Sequence, residues 1–287
     1  MIVTGMDPVK PSTALWAGRS NLAIRIASSL VLAPVAVGAA YFGGLVFVAF
    51  WTIAAFCVLW EWDTLVCAQD KRPVLTIGSV AIAGAGMLLA LGRTGSPIAL
   101  IVLGMLGVAT LASKDRRVWC VGGVLYAGAL LIAPVLLRLD VALGFAALVF
   151  LFTVVWLTDI VAYFCGRAFG GPKLMPQVSP KKTWSGAIGG ALGGIAGGVA
   201  VASYAAIENL VAVAALALVL SIASQAGDLL ESAIKRRFDA KDASGLIPGH
   251  GGVMDRVDGF VIAAVVAASI GIVRGGLDFP AQGLLVW

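Results

Sequence analysis

Four carboxylates in the last quarter of the chain carry the strongest chemical signal: Asp228, Glu231, Asp255 and Asp258. Asp228 and Glu231 stand three residues apart, as do Asp255 and Asp258, a spacing that puts two side chains on one helix face. Both pairs lie at the ends of long apolar runs, where an ionised carboxylate is costly and implies a function. Gathered together, the four would repel one another unless a cation lay among them. An oxygen-only set suits a hard divalent ion such as Mg²⁺, with room for a second cation. Zinc fits poorly, because the single histidine is His250 and no cysteine is near it in sequence.

The segment joining the two pairs supplies the opposite charge. It reads Lys235-Arg236-Arg237, then Lys241, then a turn Pro248-Gly249-His250-Gly251-Gly252, then Arg256. Glycines expose backbone N–H groups, and Lys and Arg neutralise phosphate oxygens. An earlier polar segment, Ser179-Pro180-Lys181-Lys182-Thr183-Trp184, adds two more cations. Taken singly, each signal has a plainer explanation. Basic loops beside membranes set topology, a lone histidine in a glycine turn is usually structural, and an Asp at a helix start is often a cap. Together they are the parts of a phosphoryl- or nucleotidyl-transfer site.

The elements that must hold these groups are membrane helices. Of the 287 residues, 60% are hydrophobic and 12% charged, against about 25% charged in ordinary soluble domains. Mean hydropathy is +1.01. Apolar runs recur at about 22–40, 41–60, 74–92, 97–113, 118–137, 141–165, 186–206, 209–232 and 256–274. Most approach the roughly 20 residues that cross a bilayer core. None shows the strict alternation of a membrane barrel. The reading is an all-α, polytopic membrane protein of about nine spans. Residues 1–140 would form five N-terminal spans. Residues 141–287 would form a catalytic region with cytoplasmic loops at 166–185 and 233–255.

With the N-terminus cytoplasmic, all but Arg93, Arg138 and Arg274 of the 20 Lys and Arg residues fall on the cytoplasmic side. This places the protein in an inner membrane of bacterial type. It also accounts for the net charge of +5 without nucleic acid, for which no motif is present. The first run follows a polar stretch with Pro8, Pro11 and Ser12, and a second run follows it at once, unlike a cleaved signal peptide. Cys57, Cys67, Cys120 and Cys165 form no C-x-x-C pair and read as small apolar residues. Arg25 and Glu61 interrupt otherwise bland spans near their cytoplasmic ends, where snorkelling makes a charge tolerable. In the seventh run, Gly186, Gly190, Gly194 and Gly198, with Gly189, Gly193 and Gly197, predict close helix packing within the subunit or across a homodimer.

Two ordered stretches carry a family resemblance. One runs Gly227-Asp228, Glu231-Ser232, Lys235-Arg236, Lys241-Asp242, Pro248 to Gly252, Asp255-Arg256 and Asp258. The other runs Asp159, Ala162-Tyr163-Phe164, Gly166-Arg167, Phe169-Gly170, Lys173-Leu174 and Ser179 to Trp184. They resemble the phosphatidate cytidylyltransferase family over about the last 130 residues. Ile160-Val161 after Asp159 and Ser185 after Trp184 depart from its usual Thr-Gly and Glu. The resemblance implies a reaction of CTP with phosphatidic acid at a membrane, giving CDP-diacylglycerol and pyrophosphate. It implies Asp228 and Asp255 as metal holders, assisted by Glu231 and Asp258. Lys235, Arg236, Lys241 and Arg256 would contact phosphates. Lys181 and Lys182 would bind CTP or the lipid phosphate, within a binding surface that includes Ser179, Asp159, Arg167, His250, Gly251 and Gly252. Two alternatives remain at this point: transfer to a different lipid phosphate, and an ion-coupled transporter.

Overall fold

The computed structural model describes residues 21–67, 71–247 and 251–287, with the backbone alone at 21–30 and 71. The expectations for Pro8, Pro11, Ser12, Lys10, Arg19, the Arg25 side chain and His250 lie outside the described residues.

The chain runs α1 (Asn21–Phe42), α2 (Gly44–Val66), α3 (Lys71–Ala90), α4 (Ser96–Leu111), α5 (Arg117–Leu139), α6 (Gly144–Phe169), β1 (Lys173–Met175), β2 (Ser179–Thr183), α7 (Trp184–Tyr204), α8 (Leu210–Arg237), α9 (Met254–Gly275) and α10 (Pro280–Leu285). Each of the nine apolar runs has become a helix. Among the described residues, seven of these are long and apolar enough to cross a membrane, and α4 is a shorter apolar helix. The exterior agrees: Phe42, Leu45, Leu103, Leu192 and Val273 are all well exposed, a surface suited to lipid rather than water. This is a helical, multi-pass membrane protein.

Three departures from the sequence reading bear on the site. First, the fold is not purely helical, because β1 and β2 pair as an antiparallel hairpin, with Lys173 opposite Thr183. Second, α8 continues to Arg237, five residues beyond its apolar run, so Lys235 and Arg236 stand on a helix rather than in a loop. Apolar counting stops where charges begin, but the helix does not need apolar residues to continue. Third, the chain ends in α10, whose Gln282 N–H donates to Asp140 Oδ2 at 2.9 Å.

Ends and breaks follow local chemistry. Gly43 adopts φ 62° between α1 and α2, a conformation that costs glycine little. Thr183 caps α7 by accepting the Gly186 N–H at 3.2 Å, and Asn209 caps α8 by accepting the Ala212 N–H at 3.1 Å. The central strut is α5, with 72% of its span buried against 39–44% for the other candidate spans.

The glycines of α7 do what their spacing implies, inside the subunit. A methyl group on Gly190 would lie 2.7 Å from the Thr158 carbonyl oxygen, and one on Gly193 would lie 2.6 Å from Val161. Both glycine rows face α6. Thr158 Oγ1 donates to Ser221 Oγ at 2.8 Å, tying α6 to α8 in the same layer.

Candidate functional site

The site begins with a close helix crossing. A side chain on Gly227 of α8 would meet the Asp258 carbonyl oxygen at 2.7 Å and the Gly259 Cα of α9 at 3.2 Å. Without side chains there, the backbones touch, and the acidic residues one turn away are brought to the same end of the bundle. Tyr126, from the buried strut α5, marks their meeting point. Its hydroxyl lies 3.4 Å from the Asp258 carbonyl oxygen. It is within electrostatic reach of Asp228, Glu231, Asp255 and Asp258 alike.

The carboxylates divide into two groups, each with its own lysine. In the outer group, Lys182 Nζ reaches in from β2 to Asp228 Oδ2 at 2.5 Å, both side chains being about a quarter exposed. Asp159 of α6 feels the charges of Asp228, Lys182 and Arg256, and Asp258 feels those of Asp228, Asp159 and Lys182. In the inner group, Lys235 Nζ lies between Glu231 Oε2 at 2.6 Å and Asp255 Oδ1 at 2.5 Å. The second oxygen of Asp255 accepts the Gly252 N–H at 2.7 Å and the Ala243 N–H at 2.9 Å. Asp255 therefore closes the loop that precedes α9 as well as pairing with Lys235. Gly251 turns through φ 81° beside it.

The remaining expected residues are spread around this centre. Arg167, Lys181 and Lys182 line a cavity of about 470 Å³ together with Tyr163, Leu174 and Gln225. Arg167 also donates to the Tyr163 hydroxyl at 3.0 Å. Ser179 begins β2, the strand that delivers Lys182. Arg236 donates to the Ala240 carbonyl at 3.1 Å, closing its own helix end. Lys241 and Arg256 are exposed.

Sequence reasoning misses two participants. Tyr126 sits in a run of apolar residues with no polar neighbour to flag it. Glu61 gives a signal, a lone acid in an apolar span, but the signal reads as snorkelling at a helix end. Glu61 does not snorkel: it is fully buried. It accepts the Ser244 hydroxyl at 2.6 Å, the Val253 N–H at 2.8 Å and the Met254 N–H at 2.7 Å.

The profile of the cytidylyltransferase family matches residues 23–273. The chain belongs to the cytidylyltransferase family. It is 45% identical to the phosphatidate cytidylyltransferase of Brucella suis biovar 1 (strain 1330) over 266 residues, which is 91% of this chain and 97% of that one. The phosphatidate cytidylyltransferase of Staphylococcus haemolyticus (strain JCSC1435) is 37% identical over 158 residues, 53% of this chain and 60% of that one. The likeness thus extends well beyond the two C-terminal stretches that carry the motifs. The N-terminal spans belong to the family too, in keeping with the contributions of Glu61 and Tyr126.

Whether a divalent cation suits this site is a matter of donor chemistry. Among the described residues, no three His, Cys, Asp or Glu side chains already converge as a ligand set. The donors nonetheless fit one. They are all carboxylate oxygens, from helices packed backbone to backbone, and Glu231 Oε1 is a buried oxygen with no hydrogen-bond partner among the described residues.

Proposed function

We propose that this protein transfers the cytidylyl group of CTP to phosphatidic acid, forming CDP-diacylglycerol and pyrophosphate for phospholipid synthesis. The observation that carries the proposal is the ring of carboxylates and lysines built by α6, β2, α8 and α9 at one end of an apolar bundle. That end is read as cytoplasmic, in a bacterial inner membrane crossed about nine times, with the chemistry in residues 141–287. A soluble nucleotide and a membrane lipid can both reach such a position. A homodimer would have to use a face other than the glycine rows of α7.

The reaction needs little acid–base help. A phosphatidate oxygen, already ionised at neutral pH, attacks the α-phosphorus of CTP. A new oxygen–phosphorus bond forms, the bond to the β-phosphate oxygen breaks, and pyrophosphate leaves with the electron pair. The obstacle is repulsion between two polyanions, and fixed positive charge lowers it. Lys181, Lys182 and Arg167 border a largely apolar cavity, which suits a phosphate attached to acyl chains. Lys235, which pairs with Asp255 beside Gly252, would serve the nucleotide phosphates together with Arg236, Lys241 and Arg256. Mg²⁺, held by Asp228 and Asp255 with Glu231 and Asp258 assisting, would supply further neutralisation of the triphosphate.

The deciding experiment gives purified protein CTP labelled at the α-phosphate, phosphatidic acid in mixed micelles, and Mg²⁺. Label should pass into the organic phase with one pyrophosphate released per lipid. Absence of labelled lipid overturns the proposal. Preference for a polyprenyl phosphate over phosphatidate would reassign the acceptor. Solute uptake by proteoliposomes without transfer would favour a transporter, which the clustering of charge at one bundle end argues against.

A further inference from the structure

We propose that Glu61, on a helix otherwise concerned with packing, is a positioning residue that fixes the Asp255–Lys235 pair by docking the loop before α9. The inference rests on the cytidylyl-transfer reading for its kinetic test only.

The first N–H groups of a helix have no partner within the helix. In α9 the orphan donors of Val253 and Met254 point at Glu61, whose carboxylate comes from the C-terminal end of α2, 192 and 193 residues away in sequence. A negative group there is favoured twice, by direct hydrogen bonds and by the field of the helix. The same carboxylate takes the Ser244 hydroxyl from the opposite arm of the loop. Glu61 therefore ties the start of the loop to its end.

Asp255 holds the same loop from the other side, through the N–H groups of Gly252 and Ala243. The two carboxylates clamp one turn between them. Gly252 shows how tight the clamp is: a methyl group there would lie 2.5 Å from Glu61 Oε1 and 2.7 Å from Oε2. If Glu61 released its donors, the turn would lose one of its two anchors. Asp255 and its partner Lys235 would then no longer have a fixed direction relative to Asp228.

Glutamine at this position keeps the size but must present an amide N–H₂ to at least one donor. Aspartate keeps the charge but withdraws it. The test compares full-length wild type with Glu61→Gln, Glu61→Asp and Leu59→Ala. Leu59 is buried on the same helix and packs beside Gly78, away from the loop, so its loss reports stability alone. Glu61→Gln should lower kcat at least tenfold, with KM for CTP changed less than threefold. Amide exchange across residues 251–256 should accelerate at least tenfold. Glu61→Asp should recover part of both. Leu59→Ala should lower the melting temperature with kcat within twofold of wild type.

A Glu61→Gln protein with kcat within twofold of wild type, or with unchanged exchange at 251–256, overturns the inference. If that variant does not fold, Ser244→Ala removes one of the three donors. It should lower kcat two- to fivefold at unchanged melting temperature, and an unchanged kcat overturns the inference. A wild type that forms no CDP-lipid would overturn the cytidylyl-transfer reading instead, and the exchange measurement would still decide the role of Glu61.

Discussion

Replacing Lys235 with methionine isolates the electrostatics of the inner group. The lysine side chain is 11% exposed, and its partners Glu231 and Asp255 are 0% and 5% exposed. These are buried ion pairs, so the small values typical of surface salt bridges do not apply. Removing one partner of a buried pair costs about 3–5 kcal/mol, because it strands the other charge without compensation. Here two carboxylates are stranded at once. Asp255 keeps two backbone N–H donors, whereas Glu231 keeps none among the described residues. Most of the penalty should therefore fall on Glu231. At roughly 2 °C per kcal/mol for a chain of this size, Lys235→Met should melt about 6–10 °C below wild type. Adding Glu231→Gln removes the charge left worst off, and the double variant should regain at least half of that loss. Thermal unfolding in detergent, followed by intrinsic tryptophan fluorescence, measures both. A single variant melting within about 2 °C of wild type would refute the reasoning, as would a double variant melting below the single one.

Three further outcomes are expected. Asp228→Asn should leave the melting temperature nearly unchanged, since its pairing with Lys182 is partly exposed and worth about 1 kcal/mol or less. It should nevertheless lower CDP-lipid formation at least 100-fold, and near-normal turnover would remove Asp228 from the site. Chelation with EDTA should abolish transfer and added Mg²⁺ should restore it, while activity persisting after chelation would remove the divalent ion from the proposal. Gly193→Leu should destabilise the α6–α7 packing by about 1–3 kcal/mol through overpacking against Val161. Gly38→Ala, which meets nothing within 4 Å, should be neutral or slightly stabilising, and equal effects at the two glycines would refute the packing account.

Much of this architecture is legible in the residues alone, for identifiable reasons. Apolar runs of membrane length specify helices almost regardless of context, because a bilayer leaves no other way to satisfy the backbone. Carboxylate pairs spaced three apart at helix ends stand out against apolar surroundings. What escapes is whatever depends on partners distant in sequence. Lys235 reads as a loop cation awaiting phosphate, yet it lies on α8 between two acids. The β1–β2 hairpin is hidden in a short segment rich in Pro and Lys, with no alternating pattern. Glu61 is visible as a charge but not as a clamp, since nothing nearby in sequence names Ser244, Val253 or Met254 as its donors. Tyr126 carries no signal of its own, because one aromatic in an apolar helix reads as packing.

The two lysines bear on why the proposed chemistry would call for a divalent ion. Lys182 and Lys235 each neutralise carboxylates, Lys182 through Asp228 and Lys235 through Glu231 and Asp255. On the proposed reading, these are also among the cations that meet incoming phosphates. One ammonium group has three donors, but it carries a single charge, and that charge cannot fully neutralise a carboxylate and a phosphate together. When a lysine turns toward phosphate, the acid it leaves sits in a poorly solvated site with a deficit of positive charge. Either the acids take up protons or another cation enters. A divalent ion satisfies several carboxylates and a phosphate oxygen at once, so substrate and metal binding should be cooperative. Charge balance at the lysines, rather than a preformed cage of ligands, would then be what couples the two.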